Sequence, residues 1–370
     1  MTPSYPADAA ILIGRFQPFH NGHAGLLQKA LTTAAQVVVV LGSAFHARSP
    51  KNPFTWQERA AMIAATLPEA QRARVHYVAV RDYYDDGLWA DAVRHAVAGA
   101  VPKAQRVMLV ACFKDATSYY LHHFPHWQLL NLEIDPGAPI GATAIRNVLF
   151  EAEDVDVSLS AVAQLLPAAI GQYVKAWTLL PWYAPLVQEY RAIEAYKARW
   201  RAAPYPPIFT TVDALVQTGG HVLLVRRGGY PGKDLWALPG GFLEPRERLL
   251  QGALRELAEE TQLGVLAPTL VEALVGVAVF DHPDRSQRGR TITHAHYFDL
   301  KTRQLPAVTA ADDAALAQWV PVAALPAMEE QFFEDHFHIL NHFLKLTHEG
   351  RGEGASPSPR VRTLRVPSHA

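Results

Sequence analysis

The sequence predicts two α/β units in tandem, and three observations carry that expectation. Short apolar runs alternate with helical patterns from Ala9 to about residue 150. A proline cluster, Pro204, Pro206 and Pro207, ends a helical stretch and precedes a fresh strand pattern. At 370 residues the chain also exceeds what one core comfortably serves, the usual unit being on the order of 150 residues. Alternation of strand and helix lays helices over a mostly parallel sheet, and such sheets bind ligands beyond the carboxyl ends of their strands.

In chain order, the strand candidates of the first unit are residues 11–13, 37–41, 75–80, 107–111 and 129–132. Residues 164–201, rich in Ala, Leu, Tyr and Trp, read as helical and close that unit. The prolines that follow cannot sit in a helix interior. Beyond them strands are expected at 208–212, 222–226, 270–279 and 291–300, with one amphipathic helix at 245–261. The units are accordingly drawn at 1–180 and 205–347, with a helical, proline-rich linker at 181–204. Residues 348–370, dominated by Gly, Ser, Pro and Arg, are expected to be disordered.

Composition narrows the function classes. Hydrophobic residues make up 49% and charged residues 19%, enough for a packed core in each half. A formal net charge of -1 gives no global pull toward nucleic acid or an anionic membrane, so neither is expected as a partner. The single cysteine, Cys112, excludes an intrachain disulfide and a CxxC metal site. That fits a reducing cytoplasm. No apolar run approaches the ~18 residues that span a bilayer, and nothing marks the chain for export. A homo-oligomer is compatible with all of this.

The first chemical constellation is GRFQPFHNGH, Gly14 to His23, between the first strand and a helix that starts near Asn21. Backbone N–H groups at a helix start are unpaired and partially positive, so this corner is an anion site, and Gly14 and Gly22 let a ligand approach the backbone. His20 and His23, three apart, share one face of the first turn. Two imidazoles aimed at one phosphate donate to charge developing on an α-phosphate and its leaving group. On spacing alone, a glycine-containing turn with two solvated histidines explains the segment equally well. Far downstream IGATAIR, residues 140–146, opens another helix after a loop containing Asp135, Pro136, Gly137 and Pro139. There Thr143 is a cap or phosphate donor, and Arg146, one turn on, forks onto phosphate oxygens.

Together these two segments resemble the (H/T)xGH and ISxTxxR signatures of the nucleotidylyltransferase superfamily, with Gly141 where serine is common. KNPFTWQER, residues 51–59, and the stretch from Tyr84 to Trp89 are similar to segments of its nicotinamide-mononucleotide adenylyltransferase branch. The resemblance covers about residues 9–180. It implies a Rossmann-like fold and adenylyl transfer from ATP to nicotinamide mononucleotide, giving NAD and pyrophosphate, with Mg²⁺ bridging the phosphates. Carried over to this chain, it implies His20, His23 and Arg146 at the triphosphate. Gly14, Arg15, Phe16, Gln17, Gly22, Arg48, Arg59 and Thr143 are further substrate-binding candidates, and Trp89 is a candidate to stack on the nicotinamide ring or, equally, a core residue.

The second constellation is a carboxylate cluster on the helix expected at 245–261. Glu256 and Glu260 are four apart on one face, Glu259 flanks them, and Leu250, Leu254 and Leu257 line the buried side. Like charges so close call for a cation with oxygen ligands, Mg²⁺ or Mn²⁺; a solvated acidic face paired with Arg248 and Arg255 is the competing explanation. With Gly241, Glu247, Arg255, Glu256, Leu257, Glu259, Glu260 and Leu263 in register, the segment resembles the Nudix box, and only Gln262 departs, where glycine is usual. The resemblance implies an α+β Nudix domain, an α/β/α sandwich, in which Glu256, Glu259 and Glu260 hold metal, Glu259 and Glu260 serve catalysis, and Gly241, Glu247 and Arg255 support them. Residues 280–298 and 311–321 are similar to Nudix proteins acting on or sensing ADP-ribose, which implies hydrolysis of ADP-ribose to AMP and ribose 5-phosphate. His294 and His296 are read as surface residues of a strand. The rival functions are a different acceptor for the first unit and an ADP-ribose-sensing regulator in the second. Residues 231–234 lack the glycine and hydroxyl of a P-loop.

Overall fold

The computed structural model describes residues 5–112, 122–132, 141–151 and 153–347. The chain divides into two compact units, Met1–Val187 and Gln188–His348. The loop residues Asp135, Pro136, Gly137 and Pro139, Ile140 of the second signature, and the tail 348–370 lie outside the described residues.

The first unit runs β1 (Ala7–Gly14), α1 (Asn21–Thr33), β2 (Ala34–Leu41), α2 (Trp56–Ala65), α3 (Glu69–Arg72), β3 (Val75–Ala79), α4 (Asp86–Ala100), β4 (Val107–Ala111), β5 (Gln128–Asn131), α5 (Ala142–Glu151), α6 (Val155–Val162) and α7 (Ala168–Trp177). Its sheet is parallel throughout in the order β3-β2-β1-β4-β5. The run Val37 to Leu41 is buried at every position, as a strand covered on both faces must be. Each such side chain contributes roughly 1.5–3 kcal/mol by leaving water. Helix α1 buries Leu27, Ala30 and Leu31 at i, i+3 and i+4 spacing. Helix α2 starts on a capping box in which Thr55 and Glu58 bond each other's backbone N–H groups. Registers Gly14↔Leu41 and Leu41↔Ala79 bring the carboxyl ends of three strands into one row. The order turns about β1, so the switch point of the sheet lies at the loop that follows it.

Helix α8 (Tyr183–Arg199) carries the chain into the second unit, whose contacts begin at Gln188, inside the stretch expected as a linker. Then follow β6 (Ile208–Thr218), β7 (His221–Arg227), β8 (Trp236–Ala237), β9 (Gly240–Phe242), α9 (Leu249–Thr261), α10 (Ala267–Glu272), β10 (Leu274–Phe280), β11 (Arg290–Asp299), β12 (Ala314–Pro321) and α11 (His336–Leu344). The sheet order is β10-β11-β6-β7-β12, with β8 on β7 and β9 on β6; β11 and β6 are parallel and the other pairs antiparallel. Gly219 and Gly220, at φ +52 and +75, make the two-residue turn between β6 and β7. Leu250, Leu254 and Leu257 of α9 pack with Ala214, Val216 and Leu223 of the sheet.

Two expectations shift. Residues 270–272 are helical in α10 rather than the start of a strand, and α9 opens at Leu249 rather than at Pro245. His294 is half-buried, whereas His296 is 2% exposed, its ring beside Phe298 on the sheet face that packs into the core; the surface assignment of His296 is therefore corrected. Among the described residues no helix is long and apolar enough to cross a membrane.

Candidate active sites

At the end of β1 the chain turns through Phe16, with φ +51, and the Phe16 ring closes over Gly14, where a Cβ would stand 2.9 Å from Cζ. His20 then caps α1. Its Nδ1 accepts from the Gly22 N–H at 3.2 Å, and His23 Nδ1 accepts from the His20 N–H at 3.4 Å. The two imidazoles stack with centroids 3.7 Å apart, and His23 stands edge-on to Phe16. With Nδ1 accepting in each ring, the neutral tautomer carries its proton on Nε2, so each ring is a donor there.

Arg146 reaches this loop from α5. Its guanidinium donates to Gln17 O at 2.6 Å and to Thr143 Oγ1 at 3.0 Å. The side chain is buried. Burial, and after it the charge of nearby Arg15, pulls the guanidinium down to about 10. Arg15 itself is exposed. Two guanidiniums thus approach each other beside a helix start, an arrangement stabilised by an anion. Thr143 and Gly22 are exposed next to them, and a side chain on Gly141 would meet nothing within 4 Å.

Three of the expected ligand-binding side chains are engaged within the protein. Gln17, 2% exposed, exchanges two hydrogen bonds with the Phe54 backbone. Arg59, 1% exposed, donates to Arg15 O, Gly42 O and Ser43 O; burial lowers it to about 9. Arg48 forks onto both Glu58 oxygens and lies over the Trp182 ring at 4.4 Å. These residues fasten the loops after β1 and β2 and present no free fork to a ligand. Trp89 is half-buried, packed against the core and edge-on to Phe124.

Asp82, which sequence reasoning missed, accepts from the Ser43 N–H and hydroxyl and lies 3.3 Å from His46 Nε2. Nearly half of its side chain is open to solvent, and His46, the Ser43 hydrogen bonds and the charge of Arg15 hold its carboxyl well below the carboxylate range. It follows β3, so a search for chemistry in the loops after parallel strands points to it.

In the second unit, Glu247, Glu256 and Glu259 meet on one guanidinium. Arg255 forks onto both Glu247 oxygens at 3.0 and 2.7 Å, and its Nη1 donates to Glu256 at 2.9 Å and Glu259 at 2.8 Å. Glu260 is 5% exposed and accepts from the Gly240 N–H. A Cβ on Gly241 would stand 2.5 Å from Glu256 Oε1, so this glycine makes room for the carboxylate. Burial raises Glu256 despite Arg255, and burial together with Glu256 raises Glu260 to about 8. The Arg255 bond lowers Glu247. Among the described residues no three acidic, imidazole or thiol groups are already gathered as a metal-binding set. The donor chemistry nevertheless fits a divalent cation: carboxylate oxygens of Glu256 and Glu259 already share one positive point, Arg255 Nη1, and oxygen donors are what Mg²⁺ and Mn²⁺ take.

A Cytidylyltransferase-like family model matches residues 11–85 and a NUDIX domain model residues 207–343. The nicotinamide/nicotinic acid mononucleotide adenylyltransferase of Acinetobacter baylyi is 35% identical over 51% of this chain and 96% of its own length. The ADP-ribose pyrophosphatase of Methanocaldococcus jannaschii is 31% identical over 40% of this chain and 78% of its own. A crystal structure of a bifunctional NMN adenylyltransferase/ADP ribose pyrophosphatase from Francisella tularensis, complexed with AMP and a manganese ion, superposes with a TM-score of 0.82 at 34% identity. It covers 92% of this chain and 99% of that one. With the phosphate loop, the distant arginine and the glutamate helix all present, the chain belongs to the family of bifunctional NMN adenylyltransferase/ADP-ribose pyrophosphatases.

Proposed function

We propose that the first unit transfers an adenylyl group from ATP to nicotinamide mononucleotide, giving NAD and pyrophosphate, and that the second hydrolyses ADP-ribose to AMP and ribose 5-phosphate. The observation that carries the first half is the bond from Arg146 to Gln17 O, which joins two segments 129 positions apart at one helix start. No side-chain nucleophile is needed: the mononucleotide's phosphate attacks the α-phosphorus of ATP, and catalysis is positioning and charge stabilisation. Arg15 and Arg146 hold phosphate oxygens, and His20 and His23 donate from Nε2 to charge that develops on the leaving pyrophosphate. Gln17, Arg48 and Arg59 keep the loops in place, and Asp82 with Ser43 fixes the turn after β2.

The second half rests on the Glu247, Glu256, Glu259 and Arg255 cluster. Nudix hydrolases depend on a divalent metal, and here Glu256, Glu259 and Glu260 would hold Mg²⁺ or Mn²⁺, which supplies polarisation of the pyrophosphate and an activated water. Glu247 and Gly241 shape the site, and Arg255 orients the carboxylates. The relatives' printed activities support both halves. A cytoplasmic location fits these nucleotide substrates.

Product analysis tests the reading. Full-length protein given ATP, nicotinamide mononucleotide and Mg²⁺ is expected to release NAD and pyrophosphate, and given ADP-ribose and Mg²⁺ to release AMP. No NAD from the first mixture, with a different acceptor consumed, would overturn the first half. ADP-ribose bound but not cleaved would favour the sensor alternative.

A further inference from the structure

β9 is three residues long, yet it meets two of the three glutamates assigned above to a cation. The Gly240 N–H donates to Glu260 Oε2 at 3.0 Å, and Gly241 leaves the space that Glu256 occupies, an added Cβ there standing 2.5 Å from Oε1. So short a strand does not hold its own place. It is set from one side by β6, through the pairs Thr211↔Phe242, Val212↔Gly241 and Asp213↔Gly240 and through the bond from the Ala214 N–H to Pro239 O at 2.8 Å.

At Gly240 the two strands touch. A Cβ added there would stand 2.3 Å from Val212 O and 2.6 Å from Asp213 Oδ1, so β9 rests directly against the Asp213 carboxylate. Asp213 is buried. Its Oδ2 accepts the hydroxyl hydrogen of Thr293, itself buried in β11, and this bond fixes the plane of the carboxylate with Oδ1 turned to Gly240. Taking a carboxylate out of water is costly unless it is hydrogen-bonded. Strand pairing and packing alone are served as well by an apolar side chain of similar volume, so the acid at this position has a use beyond the scaffold.

We propose that Asp213 is a positioning residue of the second unit's site: anchored by Thr293, its carboxylate sets where Gly240 lies against β6 and, through the Gly240 N–H, how the Glu260 carboxylate is turned. This rests on the hydrolase reading and adds to it two residues, Asp213 and Thr293, on strands outside the glutamate helix. Thr293→Val keeps shape and burial and removes the hydroxyl. Asp213→Asn keeps shape and an oxygen for Thr293, whereas Asp213→Ala removes the support under Gly240.

The test is steady-state ADP-ribose hydrolysis by full-length protein, with Mn²⁺ affinity by calorimetry and melting curves on the same preparations. Thr293→Val and Asp213→Ala are expected to lower both kcat and Mn²⁺ affinity by roughly 10- to 100-fold, as for loss of a group that orients a metal-binding side chain. KM for ADP-ribose is expected to stay within about threefold of wild type, because the substrate's own contacts are untouched. Asp213→Asn is expected to recover part of both losses. If Asp213→Ala does not fold, Thr293→Val, the milder change, decides the matter. A kcat and Mn²⁺ affinity of Thr293→Val within about threefold of wild type would overturn the proposal. So would equal losses in Asp213→Asn and Asp213→Ala matched by a fall in melting temperature, which would make the pair part of the scaffold. A wild type that does not cleave ADP-ribose would instead overturn the hydrolase reading, a result distinct from equal kcat in wild type and variant.

Discussion

The His20 and His23 imidazoles lie face to face, 3.7 Å between centroids and 27° between planes, while His20 also caps the helix that carries His23. One residue thus serves both helix formation and phosphate chemistry, and the two roles separate by substitution. His20→Ala is expected to cut adenylyl transfer by about 10² or more and to destabilise the first unit by about 1 kcal/mol through loss of the cap. His20→Asn restores a capping side chain but no imidazole, so stability should return and rate should not. Steady-state NAD formation with melting curves checks both; an unchanged rate in either variant removes His20 from the mechanism.

Glu260→Gln retains an oxygen for the Gly240 N–H and removes the charge. It is expected to abolish ADP-ribose hydrolysis and leave adenylyl transfer at the wild-type rate. Parallel assays of the same preparation decide it, and loss of both activities would show that the two reactions are not independent.

Gln262 ends α9 at φ +42 and ψ +40, the left-handed position where glycine carries no steric cost, and it is exposed. Gln262→Gly is expected to stabilise the second unit by about 1 kcal/mol, a rise of roughly 2–4 °C in its melting temperature. A fall in melting temperature would mean that the glutamine side chain makes a contribution the backbone geometry does not reveal.

His336 gives the second unit a pH dependence. It is buried, its Nδ1 accepts from the Leu238 N–H, and burial lowers its pKa against the opposing pull of Asp213 and Asp335. The fold therefore holds it neutral, whereas the unfolded chain takes up a proton as pH falls below about 6.5. Unfolded protein then binds more protons than native, so stability is lost on going down through pH 6.5 and is unaffected by this group above it. Melting temperatures from pH 8 to pH 5 should show the decline, and His336→Gln should flatten it. An equal decline in the variant would assign it elsewhere, with His296, also lowered by burial, the next candidate.

Much of this was legible because local signals and global fold agree. The run Val37 to Leu41 can only be an interior strand, and the glutamates fall in one register with Gly241 and Arg255. What the sequence withheld depends on partners far along the chain. The sequence gives no sign that Arg59 and Gln17 hold the backbone at Gly42, Ser43 and Phe54. His296 looks like a surface residue until its face of β11 is seen to carry Phe298 into the core. Residues 270–272 are apolar enough for a strand, yet they form a short helix that starts just after Leu266.

The guanidinium of Arg255, bridging three glutamates, acts as a built-in counter-ion. Its loss would leave three carboxylates facing one another on one helix and the loop before it, with like-charge repulsion in place of four charge-assisted hydrogen bonds.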